Sequence, residues 1–166
     1  MFQVGDKIFY PMHGAGIIEA LEEKEFLGEK HLYFVLHMLL KELDIMVPVE
    51  RMSALGIRSI VDGQTLEKAF SVFHEGEPNL SVNAGQRYKL NTEKLKSGDI
   101  FECAEVIRDL LMISRNKILG TSDKMMLDNA MMNWVSEIAL VRDLKSDEAT
   151  ELLKRMVSEE AVKVAP

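Results

Sequence analysis

The spacing of apolar residues changes period near residue 60, and that change limits the fold more than any other feature of the chain. Before it, β-branched and aromatic residues come in short clusters punctuated by Gly and Pro. After Gly63 they recur at i, i+3, i+4 and i+7. A strand repeats every two residues and a helix every ~3.6, so one segment cannot satisfy both patterns. The chain is therefore expected to be α+β: a small antiparallel β module over residues 1–60, then an all-α domain over residues 61–166.

Within the first module, Val4-Gly-Asp-Lys-Ile-Phe-Tyr10 reads as a strand closed by Pro11, which has no N–H to give a ladder. His13-Gly14-Ala15-Gly16 is a turn. The runs Gly16 to Phe26 and Lys30 to Met38 flank Leu27-Gly28-Glu29, the pattern of a hairpin, and Asp44 to Pro48 adds a short strand. Short antiparallel strands with no helix between them predict a small twisted sheet or partly open barrel.

In the second module, Leu66, Ala69, Phe70 and Phe73 share a helix face with Thr65 as N-cap, and Gly76 and Pro78 end it. A loop rich in Gly, Pro, Asn and Ser runs from Glu75 to Gln86, and a short helix is expected through Tyr88 to Lys96. Ile100, Cys103, Ile107, Leu110, Leu111 and Ser114 mark the next face. Thr121-Ser122-Asp123 signals a helix start with hydroxyl caps, and Leu127, Ala130, Met131, Trp134, Val135 and Ile138 then form an apolar stripe. Ser146-Asp147-Glu148 opens a last helix with Ala149, Leu152, Leu153 and Met156 inward, and fraying is expected from Glu159 to Pro166.

Composition excludes several classes. At 166 residues, 47% hydrophobic and 28% charged, the chain can bury a core but is too short for a multi-domain enzyme. One cysteine forms no internal disulfide, no leader pattern opens the chain, and Leu32 to Leu40 is far below the ~20 residues of a spanning helix, so a cytoplasmic protein away from membranes is expected. Eleven methionines read mainly as adaptable core fillers. Cys103 lies on an apolar stripe, no nucleophile elbow occurs, and His13, His31, His37 and His74 lack metal-ligand spacing. His13-Gly14-Ala15-Gly16 lacks the Lys-Ser/Thr of a phosphate loop, and acidic pairs such as Glu22-Glu23 read as solvated surface. No catalytic residue, metal, cofactor or small-molecule substrate is expected.

Charge is more informative. The net charge is −7, which argues against a protein that coats nucleic acid by bulk charge. Residues 1–60 hold 6 basic and 9 acidic side chains, whereas residues 87–124 hold 8 and 6. In that basic strip Arg87, Lys89, Lys94 and Lys124 are the groups to meet phosphates, Lys124 beside a helix N-terminus. An ordinary solvated face is the equally weighted alternative.

Taken in order, these residues resemble the CarD family of bacterial transcription regulators. The match runs through Val4-Gly-Asp-x-Ile-x-Tyr-Pro-x-His-Gly-Ala-Gly-x-Ile18, Leu27-Gly28-Glu29 and Val47-Pro48. It continues through Arg87-Tyr88-Lys89, Glu93-Lys94-Leu95, Ser97-Gly98-Asp99, Glu105-Val-Ile-Arg-Asp-Leu110 and Lys124-Met-Met-Leu127. The resemblance implies an amino-terminal Tudor-like β-barrel, similar to the polymerase-interacting module of transcription-repair coupling factors, that binds the RNA polymerase β subunit. It further implies a helical domain that touches promoter DNA at the upstream edge of the melted bubble and modulates open-complex stability without a specific operator.

Carried over residue by residue, Lys24 keeps the basic character of a polymerase-binding position, and Met46 stands where some members have Arg. Ala84 stands where members often place a Trp that wedges into the minor groove, and Gln86, Met112 and Ile113 replace common basic residues. Trp134 lies on a core-facing stripe and does not substitute for that wedge. Arg87, Lys89, Lys94 and Lys124 remain for weak backbone contacts. The alternative implied by these departures is a polymerase- or protein-binding module that has lost useful DNA contact.

Overall fold

The computed structural model describes residues 1–164, with side-chain surroundings to Ser158. Five strands, β1 (Lys7–Tyr10), β2 (Gly14–Phe26), β3 (Glu29–Met38), β4 (Leu43–Pro48) and β5 (Arg58–Ser59), form one antiparallel sheet in the order β4-β3-β2-β1-β5. Phe26 pairs with Glu29 across a two-residue turn in which Leu27 and Gly28 have φ of 53° and 82°. Positive φ at both central positions is what the right-handed twist of a hairpin requires. Phe34, Leu36 and Met38 alternate inward on β3 and pack with Ile8, Ile18, Val47, Met52 and Ile57.

The expected Tudor-like barrel is corrected to an open sheet, because no ladder joins β4 to β5 among the described residues. Closure needs a continuous ladder around the barrel. Strand β5 has two residues, which pair with Ile8 and Phe9. Residues 21–30, the outer part of the β2–β3 hairpin, are all exposed and project as an arm beyond the core.

The helices are α1 (Gly63–Ser71), α2 (Ala84–Ser97), α3 (Ile100–Asn116), α4 (Thr121–Arg142) and α5 (Ser146–Val164). Asp62, not Thr65, caps α1, its carboxylate accepting the Thr65 amide at 2.7 Å. Helix α2 starts at Ala84, four residues ahead of the expected start at Tyr88. A reciprocal pair sets that start: Asn83 accepts from the Gln86 amide at 2.8 Å, and Gln86 accepts from the Asn83 amide at 3.2 Å. The N-cap of α4 is Gly120 with no side-chain cap, so the hydroxyls of Thr121 and Ser122 do not take the capping role expected of them. Ser114 is exposed rather than on the inner face of α3. Helix α5 runs to Val164 through residues expected to fray; Ala165 and Pro166 lie outside the described residues.

Trp134 is 2% exposed at the centre of the helical core, with the rings of Phe73 and Phe70 at 5.1 and 5.5 Å. Cys103 lies in the same core, and burial pushes its thiol up to about 12, which keeps it protonated and unreactive near neutral pH.

Sheet and helices meet at a polar joint. Arg58 of β5 grips Glu137 of α4 through two hydrogen bonds of 2.7 and 2.9 Å, donates a third to the Gly98 carbonyl at 2.8 Å, and stacks over Phe9. Ser136 accepts the Ala15 amide of β2 at 2.9 Å. At Gly14 a Cβ would stand 2.8 Å from Leu40 Cδ1 and 2.9 Å from Ser136 Oγ, so a glycine is needed for the sheet to approach α4 this closely.

Trp134→Ala should destabilise the protein by about 3–5 kcal/mol, the range for emptying a large aromatic site. Met125→Ala, on the exposed side of α4, should change stability by less than ~0.5 kcal/mol. Urea denaturation of both variants measures the difference.

Candidate functional site

The strand register sorts the sheet residues by face. Cross-strand partners share a face, so the partners Lys24 and His31 lie on one side with Val35 and its partner Met46. Phe34 and Leu36 point to the other side, into the core. Lys24 and Met46 are thus together on the outer face, Lys24 on the arm with Glu22 at 3.8 Å and Met46 on β4. Strand β4 is a sheet edge with an unpaired row of backbone groups, and Met46 and Leu43 on it are exposed. The arm ends in exposed Phe26 and Leu27.

The outer face also brings Glu19, His37 and Asp44 together from β2, β3 and β4. A bulge between Ile18 and Ala20 re-aims Glu19, and one ligand atom from each residue lies within 4.8 Å of the others. This trio is the group of described residues able to offer three ligands to a divalent cation. No helical spacing could have revealed it, because the three come from separate strands. His37 Nδ1 is 2.9 Å from Asp44 Oδ1 and 3.8 Å from Glu19 Oε1. The hydrogen bond to Asp44 raises the His37 pKa above its ordinary 6.5, opposed by desolvation and aided by the charge of Glu19.

In the helical region the sequence-predicted basic residues separate. Arg87 donates to Asp123 at 3.1 Å, and both side chains are about nine-tenths buried. Its charge is used to tie the first turn of α2 to that of α4. Lys94 pairs with Glu105 at 3.2 Å on a half-buried flank. Lys89 and Lys124 are exposed, with no ion-pair partner among the described residues.

A cleft of about 590 Å³ lies between α2 and the α3–α4 connection, lined by Ala84, Tyr88, Lys117, Ile118 and Gly120 among others. Ala84, at the first position of α2, contributes only a methyl group to this rim. The first turn of α4 borders the same cleft without a side-chain cap, so its amides are open to an anion. Sequence reasoning passed over Lys117 and the 95% exposed Ile118. Their signal was position: an unpatterned Lys-Ile pair at the end of a helix, within the basic strip. The Asp123 partner of Arg87 was read only as a first-turn acid.

No helix among the described residues is long and apolar enough to cross a membrane. Residues 2–61 match the CarD-like/TRCF RID domain model, and residues 68–154 match the model of the CarD C-terminal domain. A curated relative, "Putative transcription factor YdeB" of Bacillus subtilis strain 168, is 45% identical over 144 residues, covering 87% of this chain and 94% of its own. A solved structure, the NMR structure of the 72-residue N-terminal domain of Myxococcus xanthus CarD, is 29% identical with a TM-score of 0.31. That match covers 36% of this chain and 79% of the other.

Since the raised pKa lets His37 hold its proton to higher pH in the folded protein, the His37–Asp44 contact stabilises below about pH 6.5. That contribution fades as pH rises through the raised value. Asp44→Asn should lower the His37 pKa toward its ordinary value, read by NMR titration, and should destabilise more in acidic than in alkaline buffer.

Proposed function

The chain belongs to the CarD family of transcription factors, with an amino-terminal domain of the polymerase-interacting type, and on that premise we propose that it docks on the RNA polymerase β subunit through its sheet and touches promoter DNA weakly through its helices. The residues from 1 to 60 supply the polymerase contact and those from 61 to 166 the DNA contact. The product is a change in open-complex stability, without catalysis and without a specific operator, and the site of action is the cytoplasm.

The observation that carries this reading is the segregation of the two surfaces. Lys24, Met46 and the free β4 edge lie at the sheet, whereas Lys89, Lys124 and the uncapped start of α4 lie at the helical end. Unpaired edge groups and an apolar tip suit strand-edge and packing contacts with protein. Exposed ammonium groups beside open helix amides suit phosphate. With a net charge of −7, the DNA contact is weak on its own. Docking on polymerase raises the local DNA concentration and makes a weak contact sufficient.

A second reading, an interaction module without useful DNA contact, is favoured by specific features. Arg87 and Lys94 are engaged by Asp123 and Glu105, and Ala84 offers no apolar wedge. Salt dependence separates the two. If Lys89, Lys117 and Lys124 neutralise phosphates, log affinity of the full chain for duplex DNA should fall against log salt with a slope of about −3, near −0.9 per phosphate. Lys124→Ala should flatten it by about 1. Absence of binding at low salt leaves the second reading.

Lys24→Glu should sharply reduce capture of the protein by an immobilised β-subunit fragment. Undiminished capture would remove Lys24 from the interface.

A further inference from the structure

Resting on the reading above, we propose that Glu137 is a positioning residue: through Arg58 it holds the sheet and the helical region at one mutual orientation, so that docking of the sheet sets where the lysines around α4 meet DNA.

Glu137 lies in the body of α4 and is 1% exposed, a position at which a carboxylate is costly unless every oxygen is engaged. Both oxygens are. Oε1 accepts from Arg58 Nη2 at 2.9 Å, and Oε2 accepts from Arg58 Nη1 at 2.7 Å and from the Val61 amide at 2.9 Å. Val61 belongs to the three-residue connection between β5 and α1, so the carboxylate grips the linker as well as the sheet. Arg58 is engaged by Glu137, by the Gly98 carbonyl at the α2–α3 turn, by the Ser59 carbonyl at 3.0 Å, and by the face of Phe9 4.5 Å away. The neighbouring Ser136 holds β2 through the Ala15 amide.

An apolar pair of similar volume would stabilise such a joint about as well, since a buried ion pair roughly repays its own desolvation. What the pair supplies in addition is direction. Two parallel N–H···O bonds between a planar fork and a carboxylate are satisfied at one distance and one angle, whereas apolar surfaces slide. The direction matters because of the length of the lever. Lys124 precedes Glu137 by thirteen residues of the same helix, or about 20 Å at ~1.5 Å per residue. A tilt of about 20° at the joint carries Lys124 roughly 7 Å, twice the ~3.4 Å rise per nucleotide along one strand.

The test uses the full chain with spin labels at Lys30→Cys, on the arm, and Met125→Cys, on α4; the native Cys103 is buried and resists labelling. Interspin distances, affinity for a β-subunit fragment, affinity for duplex DNA, and the effect on open-complex lifetime are measured for the parent, Glu137→Gln and Arg58→Lys. Each substitution keeps volume or charge while removing the ionic fork, so one serves if the other folds poorly. The expected result is a single narrow distance that broadens in the variants, binary affinities within about twofold of the parent, and an effect on open-complex lifetime reduced at least about fivefold. A distance that stays narrow overturns the proposal, as does a broadened distance with the lifetime effect intact. Loss of both binary affinities also overturns it, by reducing Glu137 to a structural role. If the parent fails to bind polymerase, the functional reading falls, while the distance measurement still decides whether the pair sets the orientation.

Discussion

A buried carboxylate can exist only where its charge is met, and in this protein the Glu137 carboxylate is met by a guanidinium from the other half of the chain. The rest of the architecture follows from that pairing. Arg58 reaches α4 from the two-residue strand β5 at one edge of the sheet. The connection to α1 must pass within hydrogen-bond distance of the same carboxylate, and it does so at Val61. Gly14 must lack a side chain for β2 to come close enough to Ser136. Hydrophobic burial supplies most of the stability of each half, around Ile18 and Leu36 in one and Trp134 in the other. The polar joint supplies their relative placement.

Charge is divided in the same economical way. The proposed DNA contact of an acidic protein needs cations that are free, and ion pairing removes several of the candidates. Arg87 is used to hold the starts of α2 and α4 together, and Lys94 is held on a flank by Glu105. Exposed Lys89, Lys117 and Lys124 have no ion-pair partner among the described residues, and Lys117 lines a cleft whose rim has a methyl group at Ala84. A duplex contact built from these is electrostatic and positional rather than insertional. The sheet face opposite the core carries a different chemistry, with Met46 and a free strand edge beside the acidic pocket of His37.

Much of the fold was legible in the residues. The hairpin at Leu27-Gly28 and the inward placement of Trp134 and Cys103 follow from local pattern, because turn geometry and helical periodicity are short-range rules. The helix start at Ala84 was missed although its signal was present, since Asn83 and Gln86 cap each other across three residues. The barrel was implied by the family resemblance, whereas the short strands themselves pointed to a small twisted sheet or partly open barrel. Whether edge strands meet depends on lengths and stagger that no local pattern encodes, and β5 has only two residues with which to close the ring. At the candidate site, the basic strip could be counted, but which of its members were neutralised could not. Asp123 and Arg87 are separated by thirty-six residues, and their pairing depends on two helix starts meeting in space.

What the sequence by itself determined is the kind of element at each position, the apolar stripes, the turn chemistry and the family, because each depends on residues near one another or on their order along the chain. The tertiary structure alone decided that the sheet stays open, that Arg58 finds Glu137, that Glu19, His37 and Asp44 converge, and that Lys89 and Lys124 rather than Arg87 are left free. These are contacts between residues far apart in the chain. Their partners are selected by packing geometry and by the need to satisfy every buried charge, and neither constraint exists until the two halves of the chain come together.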